Sequence, residues 1–168
     1  TTYYEQLDQV LALPEVEGVI VNTPTSAHRD VIIQAAQAGK HIFTEKVLAA
    51  TLKECNEILT AVKENGVKLT VSLPRLNDQY TLAIQKLLEQ GILGKITLVR
   101  TRLSHNGATK NWLPEHFFNK EQCGGGAMID LGCHPMYLAR LFLGQMPVNV
   151  TARYEFLTGK EVEDNAVS

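Results

Sequence analysis

With 168 residues, 45% of them hydrophobic, the chain is long enough for one sizeable core or two small ones. Its 18 acidic and 16 basic residues leave a formal net charge of −2 with no lysine or arginine run, which argues against a nucleic-acid groove or a membrane-surface patch. Three cysteines without a Cys-x-x-Cys pair argue against a disulfide framework or a zinc signature and point to a reducing, cytoplasmic setting, and no apolar run approaches the roughly 18 residues of a membrane span.

Tyr4 to Leu13 reads as a short amphipathic helix stopped by Pro14, and Val16 to Val21 as a short β-branched strand. Asn22-Thr23-Pro24-Thr25 carries turn chemistry, Ser26 to Ala38 predicts a helix, and Gly39 supplies its stop. A second strand, His41 to Thr44, runs into Glu45-Lys46. Thr51-Leu52-Lys53-Glu54 has the spacing of a capping box and starts a helix that reaches about Asn65-Gly66; Val67 to Val71 makes a third strand. Parallel strands need crossovers of this length, so residues 1–72 are expected to form an α/β domain, a parallel sheet covered on both faces. Ligands of such sheets bind beyond the carboxyl ends of the strands, which puts Asn22, Thr23, Pro24, Glu45 and Lys46 on the expected rim. The plainer readings are a turn with a helix cap for the first group and a solvated charge pair for the second.

The pattern changes at Ser72-Leu73-Pro74-Arg75, where a second unit, residues 73–168, is expected to begin. Asp78 to Gln90 predicts a helix closed by Gly91, and Ile96 to Leu103 a longer strand with partial alternation, suited to a sheet open on one side. His105 to Cys123 has no clear period. A loop of that length is usually functional or disordered, and Trp112, Phe117 and Phe118 argue against disorder. Val148 to Leu157 predicts a strand antiparallel to the first strand of this unit, giving a partial α+β domain with an open, mostly antiparallel sheet.

Between these lies Gly124-Gly125-Gly126 leading through Asp130 and His134 to Gly144, which predicts one long helix, apolar nearly all round and therefore buried. Asp130 and His134 fall one turn apart on one face with Tyr137 beside them. A buried carboxylate and imidazole are costly unless paired or used, so they mark a candidate working site, with a simple helix-stabilising pair as the bland alternative. Three glycines leave N–H groups uncovered at the helix N-terminus, where a polar ligand can approach. His105, His116, Cys123, Cys133 and His134 occur in the same region, but their spacings match no metal signature, and no metal is expected.

The order of Thr23-Pro24-Thr25-Ser26-Ala27-His28, Gly39-Lys40-His41-Ile42-Phe43-Thr44-Glu45-Lys46 and Gly124-Gly125-Gly126 with Asp130 and His134 resembles the Gfo/Idh/MocA family of NAD(P)-dependent oxidoreductases over essentially the whole chain. The resemblance implies the C-terminal portion of a Rossmann-like domain followed by a substrate domain. It also implies hydride transfer between a sugar or polyol secondary alcohol and NAD or NADP. Lys46, Asp130 and His134 would take the catalytic positions, His134 exchanging the proton. Asn22, Thr23, Pro24, His28, Glu45 and Lys46 would line the cofactor, and Trp112 and Tyr137 would contact substrate. Val47 stands where the family has proline, and Tyr137 where many members carry aspartate.

No Gly-x-Gly-x-x-Gly occurs in the chain. The chain opens at Thr1 without an initiator methionine and closes on a stretch that reads as the start of another strand, so a fragment of a longer enzyme, inactive alone, is expected. Exposed sheet edges favour a homo-oligomer. The alternatives are a non-catalytic nucleotide-sensing or interaction scaffold and an NAD-dependent glycosidase or epimerase.

Overall fold

The computed structural model describes residues 2–168, in two compact units, one reaching to Ser72 and the other Leu73–Ser168. In the first unit, helix α1 (Leu7–Leu11), strand β1 (Gly18–Val21), helix α2 (Thr25–Gln37), strand β2 (His41–Thr44), helix α3 (Leu52–Glu64) and strand β3 (Leu69–Val71) follow in order. The strands are parallel, in the order β1-β2-β3, with Val19 beside Ile42, Val21 beside Thr44, and Ile42 and Thr44 beside Leu69 and Val71.

Period-2 alternation puts Val19, Val21, Ile42 and Leu69 on one face, and there α2 and α3 lay down Ile32, Ala35, Ala36, Ile58 and Ala61. Ile32 and Ile58 are fully buried, each contributing about 1.5–3 kcal/mol by leaving water. The opposite face is uncovered in this unit, with Ile20 71% and Phe43 41% exposed. This corrects the expectation of a sheet covered on both faces. Strands laid down in sequential order by crossovers of one hand return every crossover helix to the same side.

Local signals set the helix ends. Thr51 Oγ1 accepts the Glu54 N–H at 3.2 Å while the Glu54 carboxylate accepts the Thr51 N–H at 3.0 Å, the reciprocal cap predicted from spacing. Helix α1 is shorter than predicted. Leu7 and Leu11 reach the core, whereas Tyr3 and Tyr4 before them are exposed, so nothing anchors an earlier turn.

The second unit contains a 3₁₀ turn (Pro74–Asn77), helix α4 (Gln79–Glu89), short helices α5 (Gly107–Lys110) and α6 (Lys120–Cys123) flanking a second 3₁₀ turn (Glu115–Phe118), a π-helical turn (Met128–Gly132), helix α7 (Cys133–Leu143) and strands β4 (Arg153–Glu155) and β5 (Asn165–Val167). The predicted strand Ile96 to Leu103 does not form. A strand needs a neighbour to take its N–H and C=O groups, no described strand pairs with this segment, and Leu98 is exposed. Strand β4 accordingly pairs with β5, antiparallel, rather than with residues 96–103.

The long buried helix is corrected twice. It starts as a π turn, and none of the residues from Met128 to Leu143 is fully buried. The 3₁₀ turn Pro74–Asn77 and α4 pack along α7, and a two-stranded ribbon is the only sheet among the described residues of this unit. An apolar helix is only as buried as its neighbours make it.

Candidate active site

In the first unit the rim residues stand at the carboxyl ends of the parallel strands. Asn22, Thr23 and Pro24 follow β1 and are exposed; Glu45 and Lys46 follow β2 and are half-buried. His28, one turn into α2, is buried beneath them. Its Nδ1 lies 2.9 Å from the Val47 carbonyl oxygen and its Nε2 2.9 Å from that of Thr23. Carbonyls only accept, so each contact is a hydrogen bond only when that ring nitrogen carries a proton, and a neutral ring donates to one of the two at a time. His28 therefore spans the two rim segments from behind, and Val47, at the position where proline is expected, is held through its backbone. The Asn22 amide, the Thr23 hydroxyl and the Lys46 ammonium put hydrogen-bond donors on this rim, a donor set that suits a ligand rich in hydroxyl and carbonyl oxygens.

The glycine run of the second unit does something other than receive a ligand. The Glu163 carboxylate accepts the N–H groups of Gly126 and Met128, both at 2.9 Å, and the Glu163 carbonyl accepts the Ala127 N–H at 2.8 Å. The anion suited to this helix N-terminus comes from the chain itself, 37 residues downstream of Gly126. Glycine is required at 126 because a Cβ there would lie 1.9 Å from the Glu163 carbonyl oxygen. The sequence expectation of an open, ligand-accessible N-terminus is thus corrected.

The π turn carries Asp130 and delivers the chain into α7 just before His134. Turns of this kind recur at functional sites; a Cβ at Gly132 would meet the Met128 sulfur at 2.6 Å, on a flexible side chain that can shift. His134 Nδ1 lies 2.8 Å from the Tyr137 hydroxyl, which also accepts the Arg75 N–H at 3.3 Å. Burial pushes the Tyr137 phenol above its ordinary value, so it stays protonated through the neutral range. An Asp130 carboxylate oxygen lies 3.8 Å from His105 Nε2. The Gly107 N–H donates to His105 Nδ1 at 3.0 Å, which leaves the proton of a neutral His105 on Nε2, facing Asp130.

Trp112 leans its ring on His105, centroids 4.9 Å apart, and donates Nε1–H to Asn106 at 2.8 Å; it remains 55% exposed. His105, Phe117, Asp130, Lys160 and Glu163 help to line a cavity of about 60 Å³, large enough for ordered water. His105 was named in the sequence as the start of the aperiodic loop and among the scattered histidines and cysteines, but its place beside Asp130 was not foreseen. Its signal was a histidine in an aperiodic loop rich in aromatics, visible in the sequence but without a partner at any regular spacing.

Residues 1–73 match the family model described as oxidoreductase family, NAD-binding Rossmann fold, and residues 81–168 match the GFO/IDH/MocA C-terminal domain. Inositol 2-dehydrogenase of Rhizobium meliloti (strain 1021) is 30% identical over 158 residues, 94% of this chain and 46% of that protein. The scyllo-inositol 2-dehydrogenase (NAD(+)) of Bacillus subtilis (strain 168) is 33% identical over 155 residues, 92% and 43% of the two. Among solved structures, levoglucosan dehydrogenase in complex with NADH and levoglucosan is similar with a TM-score of 0.86 at 28% identity, over 97% of this chain and 46% of that one. The chain spans about half the length of the curated relatives it matches.

Proposed function

Because the chain belongs to the GFO/IDH/MocA oxidoreductase family, we propose that the whole protein moves a hydride between a secondary alcohol of a sugar or polyol and NAD or NADP. The observation that carries this reading is His134, an imidazole held at Nδ1 by Tyr137 on a helix whose preceding π turn presents Asp130. Oxidising a secondary alcohol requires a base within about 3 Å of the hydroxyl, and imidazole titrates close to neutrality. His134 takes that proton and returns it in the reverse direction. Asp130, facing His105, receives a neighbouring hydroxyl or steadies the site's charge, and Lys46 stabilises negative charge developing on the substrate oxygen. When bound, the nicotinamide ring supplies the hydride chemistry. The rim residues Asn22, Thr23, Pro24, Glu45 and Lys46 hold it, with His28 tying their loops together, and Trp112 offers an apolar face to the sugar ring.

The relatives act on compounds of this class: their names specify inositol, levoglucosan and 1,5-anhydro-D-fructose. The 168 residues contain no Gly-x-Gly-x-x-Gly, so the proposal extends to weak NAD(H) binding by this chain alone. The test is NADH formation by the full-length protein with a panel of polyols and sugars. His134→Ala is expected to cut turnover by roughly 10²- to 10⁴-fold. Unchanged turnover across the pH range would remove His134 from the mechanism, and a wild-type protein that binds NAD yet oxidises no member of the panel would turn the reading toward a binding scaffold.

A further inference from the structure

We infer that Tyr137 is a positioning residue for His134: its phenol, able both to donate and to accept, holds Nδ1 in one ring orientation as His134 passes between imidazole and imidazolium. The inference rests on the reading of His134 as the proton-exchanging group. The geometry is that of a relay fixed at its far end. The Arg75 N–H, at 3.3 Å, occupies one acceptor site of the phenol oxygen and so fixes where that oxygen sits. The imidazole lies 2.8 Å away on another side of the same oxygen. The two rings meet edge to face, centroids 5.6 Å apart with 79° between planes, a contact that resists rotation of either ring.

The chemistry of the partner decides what such a contact can do. A neutral ring with a bare Nδ1 takes the phenol proton as a hydrogen bond; a ring protonated at Nδ1 donates to the phenol oxygen, whose hydroxyl rotor turns away. Both states are satisfied without moving a heavy atom. A carboxylate in this position, which only accepts, would favour the imidazolium and raise the histidine's pKa. The phenol adds no charge. The titratable and charged groups that act on Tyr137 are Cys133 on α7 and, from the adjoining turn, Arg75 and Asp78, which are paired with each other at 3.6 Å; Arg75 works against the other two. Tyr137 is therefore assigned to His134 and not to direct contact with substrate.

The experiment uses the full-length protein with ¹⁵N-labelled histidine, as wild type, Tyr137→Phe and Tyr137→Asp. Tyr137→Phe keeps the ring and removes the oxygen. It is expected to lower kcat by about tenfold, the equivalent of one lost hydrogen bond, with KM nearly unchanged, and to alter the ¹⁵N titration of the His134 ring. Tyr137→Asp is expected to shift the His134 titration, and the kcat limb that follows it, to higher pH. An unchanged ¹⁵N titration in both variants overturns the inference, as does a Tyr137→Phe variant that raises KM and leaves kcat alone, which would make Tyr137 a substrate contact. The ring titration is read without turnover. Failure of the base assignment, seen as an active His134→Ala enzyme, is thus distinguishable from failure of the Tyr137 assignment.

Discussion

The two units use their apolar residues differently. In the first, Val21, Ile32, Ala35, Ala36, Ile42, Ile58 and Ala61 converge in one buried cluster, and each secondary-structure element supplies that cluster from the face its own period predicts. In the second, Cys123 and Val162 are the only buried apolar side chains among the described residues. Its order rests instead on polar joints between distant segments: Glu163 on Gly126 and Met128, Asp164 on Leu157 and Thr158, Arg75 on Tyr137. A unit built on periodic burial is readable from its sequence. A unit built on long-range polar joints is less so, because a carboxylate carries no mark of the backbone it will cap.

The contrast is sharpest in core truncation. Ile32→Ala is expected to destabilise the first unit by about 2–5 kcal/mol, the range for emptying a fully buried aliphatic site, whereas Leu138→Ala on the half-buried α7 costs distinctly less. Urea titration of the full-length protein followed by residue-resolved hydrogen exchange separates the units; equal losses would break the comparison. Next comes the joint at the glycine run. Gly126→Ala drives a Cβ into the Glu163 backbone and is expected to cost about 1–3 kcal/mol, with faster amide exchange at Ala127 and Met128. Wild-type exchange in that variant would show that the joint is not what orders the helix start.

The smallest effect concerns acid. Partial burial works to raise the Asp164 carboxyl, but the Thr158 side chain beside it and the Leu157 and Thr158 N–H groups that donate to it prevail and hold it below the ordinary aspartate range. A depressed carboxyl contributes stability that is present above its unfolded pKa and lost as the pH falls through its folded value. Chemical shifts of the β4 and β5 amides should therefore show a small acid transition that Asp164→Asn removes. A transition that survives in Asp164→Asn would assign it to another group.

The candidate site divides along the same line. His134, Asp130 and Lys46 were legible as residue types at motif spacing, and Asn22, Thr23 and Pro24 as the turn after a strand. What reached across the chain was not legible. The resemblance put His28 among the residues that line the cofactor, but no spacing showed that it lies buried between two carbonyls, one of them 19 residues away. Tyr137, 62 residues from the Arg75 N–H it accepts, was read as a neighbour of His134 and, through the resemblance, as a substrate contact, with no sign of its bond to Arg75. The Ile96 to Leu103 alternation was real as a pattern and failed as a strand because a pattern does not provide a pairing partner.

The amino-acid sequence by itself determined the elements of the first unit, the Thr51–Glu54 cap and the family, since these depend on contacts a few residues apart or on ordered motifs. Tertiary structure alone decided that both crossover helices share one face, that Glu163 fills the helix N-terminus behind the glycines, and that Tyr137 rather than solvent meets Nδ1 of His134. Hydrogen bonds between distant segments depend on where the backbone brings donors and acceptors, and that position is set only once the surrounding elements have packed.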